Sequence, residues 1–291
     1  MEVIRRTLFE TAAFQIGAFE CRPQSDACGD VEQQESHALV LPLSGVFLKH
    51  DAPGRHVTGT SSHAVLVAAR TPYRLSFPGA IGDRALILRF GDGLADDIDA
   101  QGGRQEASHG LLPGRAMMLR NLLWTRLARK DVDAFEAETL GHQLIYMSLG
   151  SMRTARAPMR ASARLRRHRA LERVREAVAL TPAANWSVTK LAEVASLSPF
   201  HLCHVFREMT GTSIYNYVLR ERLALALDAV LDGGENLTAI ALDAGFASHS
   251  HFTAHFRRFF GCSPTALRRG ANTSRFAELR KIMTARARQA V

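Results

Sequence analysis

The stretches "SPFHLCHVFREMTGTS" (198–213) and "SHSHFTAHFRRFFGCS" (248–263) align at a constant offset of 50 residues, pairing Ser198, His201, Phe206, Arg207, Gly211 and Ser213 with Ser248, His251, Phe256, Arg257, Gly261 and Ser263. Upstream the match continues at offset 49, with Thr189, Leu191, Ala192 and Ala195 answering to Thr238, Ile240, Ala241 and Ala244, so Ala247 is one extra residue in the second turn. An internal repeat of this length means that one supersecondary unit occurs twice.

Each copy has the layout of a short helix, a tight turn and a second helix. Ser198 and Ser248 are good N-caps, Pro199 suits a first helical position where no N–H is needed, and Gly245 fits the second turn. Within the second helices Leu202, Val205, Phe206 and Met209, and likewise Phe252, Phe256 and Phe259, recur at helical spacing and are expected to face a core. Phe200, Cys203 and His204, with His249, Ser250, Thr253 and Ala254, are left facing outward near the helix N-termini, the end that enters a major groove in helix-turn-helix proteins. Arg207, Arg257 and Arg258 are candidates for phosphate contact. His201 and His251 sit just before core positions and are expected to cap or to be partly buried. The His251 and His255 pair has the i, i+4 spacing of a helical metal site, with His249 and Cys262 nearby, but no acid or supporting partner accompanies it, and no metal or cofactor is expected. Joining the copies, "SIYNYVLRERLALALDAVLDGG" (213–234) carries an apolar stripe ended by two glycines, and a helix of this length holds two reading helices about one DNA turn apart.

The charge distribution agrees. Of 37 basic and 28 acidic residues, positions 1–150 hold 15 and 18, positions 151–291 hold 22 and 10. The cationic excess is confined to the half that carries the repeat, as in a protein that displaces counterions from a polyanion. Seven arginines fall between 151 and 169, where Pro158 interrupts a helix.

The first half reads differently. "HALVLPLSGVFLKH" (37–50), "HAVLVAARTPYRLSF" (63–77) and "RALILRF" (84–90) are strand-like runs separated by Gly, Pro and Asp, and short strands over about 14–91 suggest a small barrel or sandwich. After a break at 91–110, residues 112–130 and 133–149 turn helical and predict a hairpin beside the barrel. Its outer positions are expected to carry Met117, Trp124 and Met147, an apolar surface suited to a two-fold contact, and a homodimer is expected through it. Phe47, Tyr73, Phe77 and Phe90 are the aromatic candidates for lining an effector pocket. Four cysteines at 21, 28, 203 and 262 form no C-x-x-C pair, and no run suits a secretory leader or membrane span, so a soluble cytoplasmic protein is expected.

On these motifs the segment from about 165 to 269 resembles the AraC/XylS family of bacterial transcription regulators, most specifically in "AGFASHSHFTAHFRRFFGCSP" (244–264). The resemblance implies two helix-turn-helix units on a linker helix, double-stranded DNA and RNA polymerase as partners, and a cupin-type N-terminal sensor that binds a small-molecule effector. Cys203, His204 and Ala254 depart from the more polar reading residues of many members, implying modest direct readout. The expected architecture is α+β and multidomain: a cupin-like β-barrel with a helical hairpin at 1–150 for sensing and dimerisation, a linker at 151–162, an all-α DNA-binding domain at 163–270 and a basic tail at 271–291. The protein is not expected to be an enzyme. A repair methyltransferase joined to a helix-turn-helix needs a four-thiolate zinc site, whereas the N-terminal half offers only Cys21 and Cys28. An architectural DNA binder without sequence preference is the remaining alternative.

Overall fold

The computed structural model describes residues 2–52, 55–98, 109–152 and 161–272. Most of the expected linker and all of the tail beyond Asn272 fall outside the described residues. Eight antiparallel strands come first: β1 (Glu2–Glu10), β2 (Phe14–Arg22), β3 (His37–Ala52), β4 (Arg55–Thr60), β5 (His63–Val67), β6 (Arg74–Ser76), β7 (Asp83–Phe90) and β8 (His109–Leu111), with a short helix α1 (Asp92–Ile98) before β8. The helical hairpin is α2 (Gly114–Arg129) and α3 (Ala134–Gly150). Then follow α4 (Ala161–Leu180), α5 (Val188–Ala195), α6 (Pro199–Thr210), α7 (Ile214–Asp232), α8 (Leu237–Asp243), α9 (His249–Phe260) and α10 (Pro264–Asn272). The architecture is α+β, an antiparallel sheet domain followed by a helical domain.

The sheet runs β1-β2-β7-β3-β5-β8, with β4 and β6 also paired to β3. Up to Gly45 the long strand β3 pairs with β7, and from Val46 it pairs with β4 instead. Gly45 makes that turn at φ +82, and a Cβ there would lie 2.0 Å from the Gly82 carbonyl oxygen, so glycine is required. Both faces of the central strands are buried. Phe14, Ile16, Leu39, Leu41, Leu86, Leu88 and Phe90 pack under the hairpin, whereas Phe19, Cys21, Ala38, Phe47, Val65, Tyr73, Phe77, Ala85 and Ile87 fill the interior of the roll. That explains why the strand sequences are nearly continuous apolar runs rather than alternating ones. Phe90 therefore points away from Phe47, Tyr73 and Phe77 and stacks on His37 at 5.6 Å, so these four aromatics do not line one pocket.

Two further expectations change. The first strand, "EVIRRTLFE", begins at Glu2 and was not legible, because only its half-buried positions are apolar and charged residues interrupt them. On α2 every residue from Ala116 to Leu123 is buried, Met117 completely, because the sheet and α3 cover one side and α7 and α9 the other. Trp124 and Met147 are half-buried, with the Arg84 guanidinium 5.4 Å from the Trp124 ring centroid. The outward apolar positions of the hairpin are on α3 instead, at Phe135 (79 % exposed) and Tyr146 (61 %).

The helical domain is bound to the sheet domain along two polar seams. On α7, the buried Glu221 accepts hydrogen bonds from Thr60 Oγ1 at 3.0 Å and from Ser62, and Asp228 accepts from Arg84 at 2.8 Å and from Asn121. Burial raises the Glu221 pKa, and the Thr60 and Ser62 hydroxyls oppose that. On α4, the fully buried Glu172 accepts the Thr58 N–H at 2.7 Å and an Arg175 N–H at 2.6 Å, while a His168 ring nitrogen lies 2.8 Å from the His56 carbonyl. Burial alone would raise the Glu172 pKa, yet Arg175, His109 and His168 hold it below the ordinary value. Arg175 also crowds His109, which burial and that charge push down to about 4, so His109 is neutral at physiological pH. The buried carboxylates Glu172 and Glu221 thus have hydrogen-bonded partners across the seams, as burial demands.

Candidate nucleic-acid interface

The second helices of the two helix-turn-helix units, α6 and α9, are both 12 residues long and are built alike. Ser198 Oγ accepts the His201 N–H at 3.3 Å and Ser248 Oγ accepts the His251 N–H at 3.1 Å, each satisfying an orphan donor of the first turn. Gly211 (φ +71) and Gly261 (φ +87) end the helices in the left-handed region. The turns before them are equivalent too. Ser196 at φ +56 closes α5, and Gly245 at φ +81 follows α8 at the matching position of the repeat. In the second turn a Cβ would meet Ala183 backbone atoms at 2.7 and 2.8 Å, which serine could not tolerate; in the first turn serine stands.

Buried Leu202, Val205 and Phe206 turn α6 so that Phe200 (84 % exposed), Cys203, His204 and Arg207 share the solvent face. This is the arrangement the helical spacing predicts. His204 Nε2 lies 3.7 Å from Glu208, which also accepts from Arg167 at 2.8 Å, so this face carries one acid among its bases. On α9, burial of Phe252, Phe256 and Phe260 exposes Ser250, Ala254, Arg257 and Arg258. The inward phenylalanine at the end is Phe260, with Phe259 half-buried beside it. His249 and Thr253 are half-buried, and a His249 ring nitrogen lies 3.4 Å from Thr253 Oγ1, so His249 leans along its own helix rather than standing fully outward. His201 is exposed, contrary to the partial burial expected of it, while His251 is half-buried and meets His255 edge to face at 4.6 Å.

Between the heads α7 runs 19 residues, about 28 Å of helix at the standard rise. Its ends are fixed by Ser213, whose Oγ accepts the Asn216 N–H at 3.2 Å, and by Gly233 at φ +76. Not all of the basic excess is available for a polyanion. Arg173 donates to the Val194 and Ala195 carbonyls at the end of α5, Arg222 to the Pro182 and Ala184 carbonyls, and Arg268 to the Val230 carbonyl. These arginines brace helix ends, a role the sequence pattern did not distinguish from surface charge. Arg207 and Arg257 are exposed and make no ion pair among the described residues.

In the sheet domain, the space between the two layers is about 40 Å³, room for two or three waters. Phe47 and Tyr73 line it, with Arg5, Glu32, Asp83 and Arg89 as polar groups; Phe77 does not. Burial pushes the Asp83 carboxyl up to about 7. Cys21 is buried, and burial and Asp83 push its thiol up to about 11, which makes it a poor nucleophile at neutral pH; Cys28 is exposed.

A "Helix-turn-helix domain" family matches residues 191–270. Among curated proteins, a probable transcriptional regulator of Photobacterium leiognathi, LumQ, is 38 % identical over 79 residues, 27 % of this chain and 32 % of that protein. The transcriptional activator RhaS of Escherichia fergusonii is 34 % identical over 92 residues, 32 % of each chain. The chain thus spans about a third of the length of these curated relatives. Among solved structures, ToxT from Vibrio cholerae aligns over 87 % of this chain and 97 % of its own, at 13 % identity and a TM-score of 0.33. No helix of the described residues is long and apolar enough to cross a membrane.

Proposed function

We propose that this chain, which through its helical domain belongs to the AraC/XylS family of transcriptional regulators, is a sequence-specific regulator that places α6 and α9 in successive major grooves on one face of double-stranded DNA. The observation that carries the reading is the pair of equal, identically capped helices held by one 19-residue helix, each exposing an arginine in its last turn. A helix of about 28 Å suits two insertions spaced by one turn of B-DNA, roughly 34 Å. Phe200, Cys203 and His204, with Ser250, Thr253 and Ala254, meet base edges; Arg207, Arg257 and Arg258 meet phosphates. His249 contributes by orienting Thr253 as much as by direct contact.

Control is exerted through the sheet domain, because both polar seams end on helices of the DNA-binding unit: Glu172 on α4 and Glu221 with Asp228 on α7. A small effector that enters between the sheet layers must widen a space of about 40 Å³, and that movement reaches Thr58, Thr60 and Ser62 at the seams. The protein works as a homodimer through the hairpin, with Phe135 and Tyr146 of α3, rather than Met117 of α2, forming the contact. RNA polymerase is the further partner, and the reading has no catalytic step.

Selection of binding sites from random DNA by the full chain tests the proposal. Enrichment of two short elements centred about 10 base pairs apart is expected, with log K falling steeply with log[salt]. Arg207→Ala and Arg257→Ala should weaken binding to every sequence, whereas His204→Ala should relax preference at a few positions by about 1–3 kcal/mol. Recovery of no preferred sequence would return the protein to the architectural class.

A further inference from the structure

Between the N-terminal half of α7 and the C-terminal half of α9 lies a hollow of about 280 Å³ that meets the exposed face of α9 at Arg258 and is separate from the sheet interior. Its polar lining is Thr212, Asn216, Arg220, His255 and Arg258, and Tyr215 and Phe259 are its aromatic walls; the lining contains no carboxylate. Arg220 is the built part of the site. One of its terminal nitrogens donates to the Leu112 carbonyl just before α2, and its guanidinium carbon sits 4.9 Å from the Phe259 ring centroid. Its Nε is buried and has no hydrogen-bond partner. That Nε is closed to solvent and so to a ligand; what the hollow offers an anion is the charge of the half-buried guanidinium, which no carboxylate of the lining offsets. Burial pushes the Arg220 pKa down to about 10, with Glu221 and Tyr217 pulling it back up, in keeping with a charge that lacks a full counter-charge. Glu221 does not fill that role, because its carboxylate is held by Thr60 and Ser62. Arg258, exposed at the rim, has no ion pair among the described residues. Burial, His251 and Arg258 lower the His255 pKa, so its ring enters the hollow as a neutral hydrogen-bonding group near pH 7.

We propose that this hollow is a ligand site for a small organic anion, a carboxylate carried on a short apolar body. Two guanidinium groups take the carboxylate and Tyr215, Leu219, Leu223 and Phe259 take the body. The volume is at the small end of ligand pockets, which limits the ligand to a compact one. Its position gives it a regulatory consequence. The site touches the linker helix, the second reading helix and, through Arg220, the segment that enters the hairpin. A carboxylate that engages Arg258 also withdraws it from phosphate, so bound ligand weakens DNA binding. That last consequence rests on the proposed function; the binding itself does not.

Calorimetric titration of the full chain with 3-phenylpropanoate at low ionic strength tests the site, with 3-phenylpropan-1-ol and inorganic phosphate as separate titrants. The expected result is a Kd for the carboxylate below about 1 mM, with the alcohol weaker by about tenfold or more. Arg258→Gln and Tyr215→Ala, both at exposed positions, should each raise that Kd by about tenfold without shifting the melting temperature. The proposal is overturned if the carboxylate gives no heat beyond dilution, if the alcohol or phosphate binds as tightly as the carboxylate, or if both variants bind like the parent. Carboxylate binding by a protein that selects no DNA sequence would sink the proposed function and leave this site standing.

Discussion

The first and second helix-turn-helix units are near copies in length, caps and turn position, yet they close their cores on different partners. Around α6, Leu202, Val205 and Phe206 pack with Leu191, Ala195 and Tyr217 and with Leu171, Val174 and Val178 of α4, a cluster of their own. Around α9, Phe252, Phe256 and Phe260 belong to one continuous cluster with Leu119, Leu122 and Leu123 of α2 and, beyond them, with Leu39 and Leu86 of the sheet. The first unit is tied to the sheet domain by charges on α4, the second by shared apolar packing. Packing in a dense core transmits displacement, whereas a hydrogen-bonded seam can open as a unit. The second unit is therefore the one whose position follows the sheet domain most directly.

The largest effect that can break this contrast comes from its two central phenylalanines. Phe206→Ala and Phe256→Ala each empty a fully buried position and should each cost about 3–5 kcal/mol. They should differ in reach. Native-state hydrogen exchange should show lost protection at α2 amides in Phe256→Ala and unchanged protection there in Phe206→Ala. Equal behaviour of the two variants would mean that the cores are not separate.

The turns come next. Gly245→Ala forces an L-residue to φ +81 and drives its Cβ into the Ala183 backbone, and it should destabilise by more than the roughly 1–3 kcal/mol of backbone strain alone. Ser196→Gly, at the matching position, relieves a left-handed serine and adds chain entropy, so its net effect should stay below about 1 kcal/mol. Thermal or urea unfolding of the two variants checks the asymmetry.

The smallest effect sharpens the comparison at the surface. Where α9 carries Arg258, α6 carries Glu208, beside His204 and paired with Arg167. Glu208→Gln removes a negative charge from the reading side and should tighten DNA binding by less than about 1 kcal/mol, more at low salt than at high. An affinity unchanged at low salt would place that helix outside the field of the phosphates.

Much of this was legible in the residues, and the reasons differ by region. The repeat declared itself because caps, turn and core phenylalanines must recur wherever the same local geometry recurs. Phe200, Cys203, His204 and Arg207 were readable as one exposed face because helical periodicity alone fixes which side faces a core. His249 escaped that logic: periodicity gives an angle around the helix, but the contact with Thr253 depends on which rotamer the neighbours permit. Phe90 and Met117 escaped for a related reason. Alternation along a strand says that two faces exist, not which one meets a helix, and an apolar residue on a hairpin looks outward until a second domain covers it.

By itself the sequence determined the local chemistry: two capped helix-turn-helix units, the linker helix between them, the strand-rich first half and the concentration of positive charge in the second. Each of these follows from interactions among residues near in the chain, where spacing and side-chain type suffice. Only the tertiary structure decided that α2 is buried between the two domains, that Glu172 and Glu221 are internal ties rather than surface acids, that several arginines brace helix ends, and that Arg220, tied to the Leu112 carbonyl, lines a hollow beside α9. Those outcomes join residues from different elements, 21 positions apart for Arg173 with Val194 and 161 for Thr60 with Glu221, and the burial that changes the meaning of a charge exists only once the chain has brought them together.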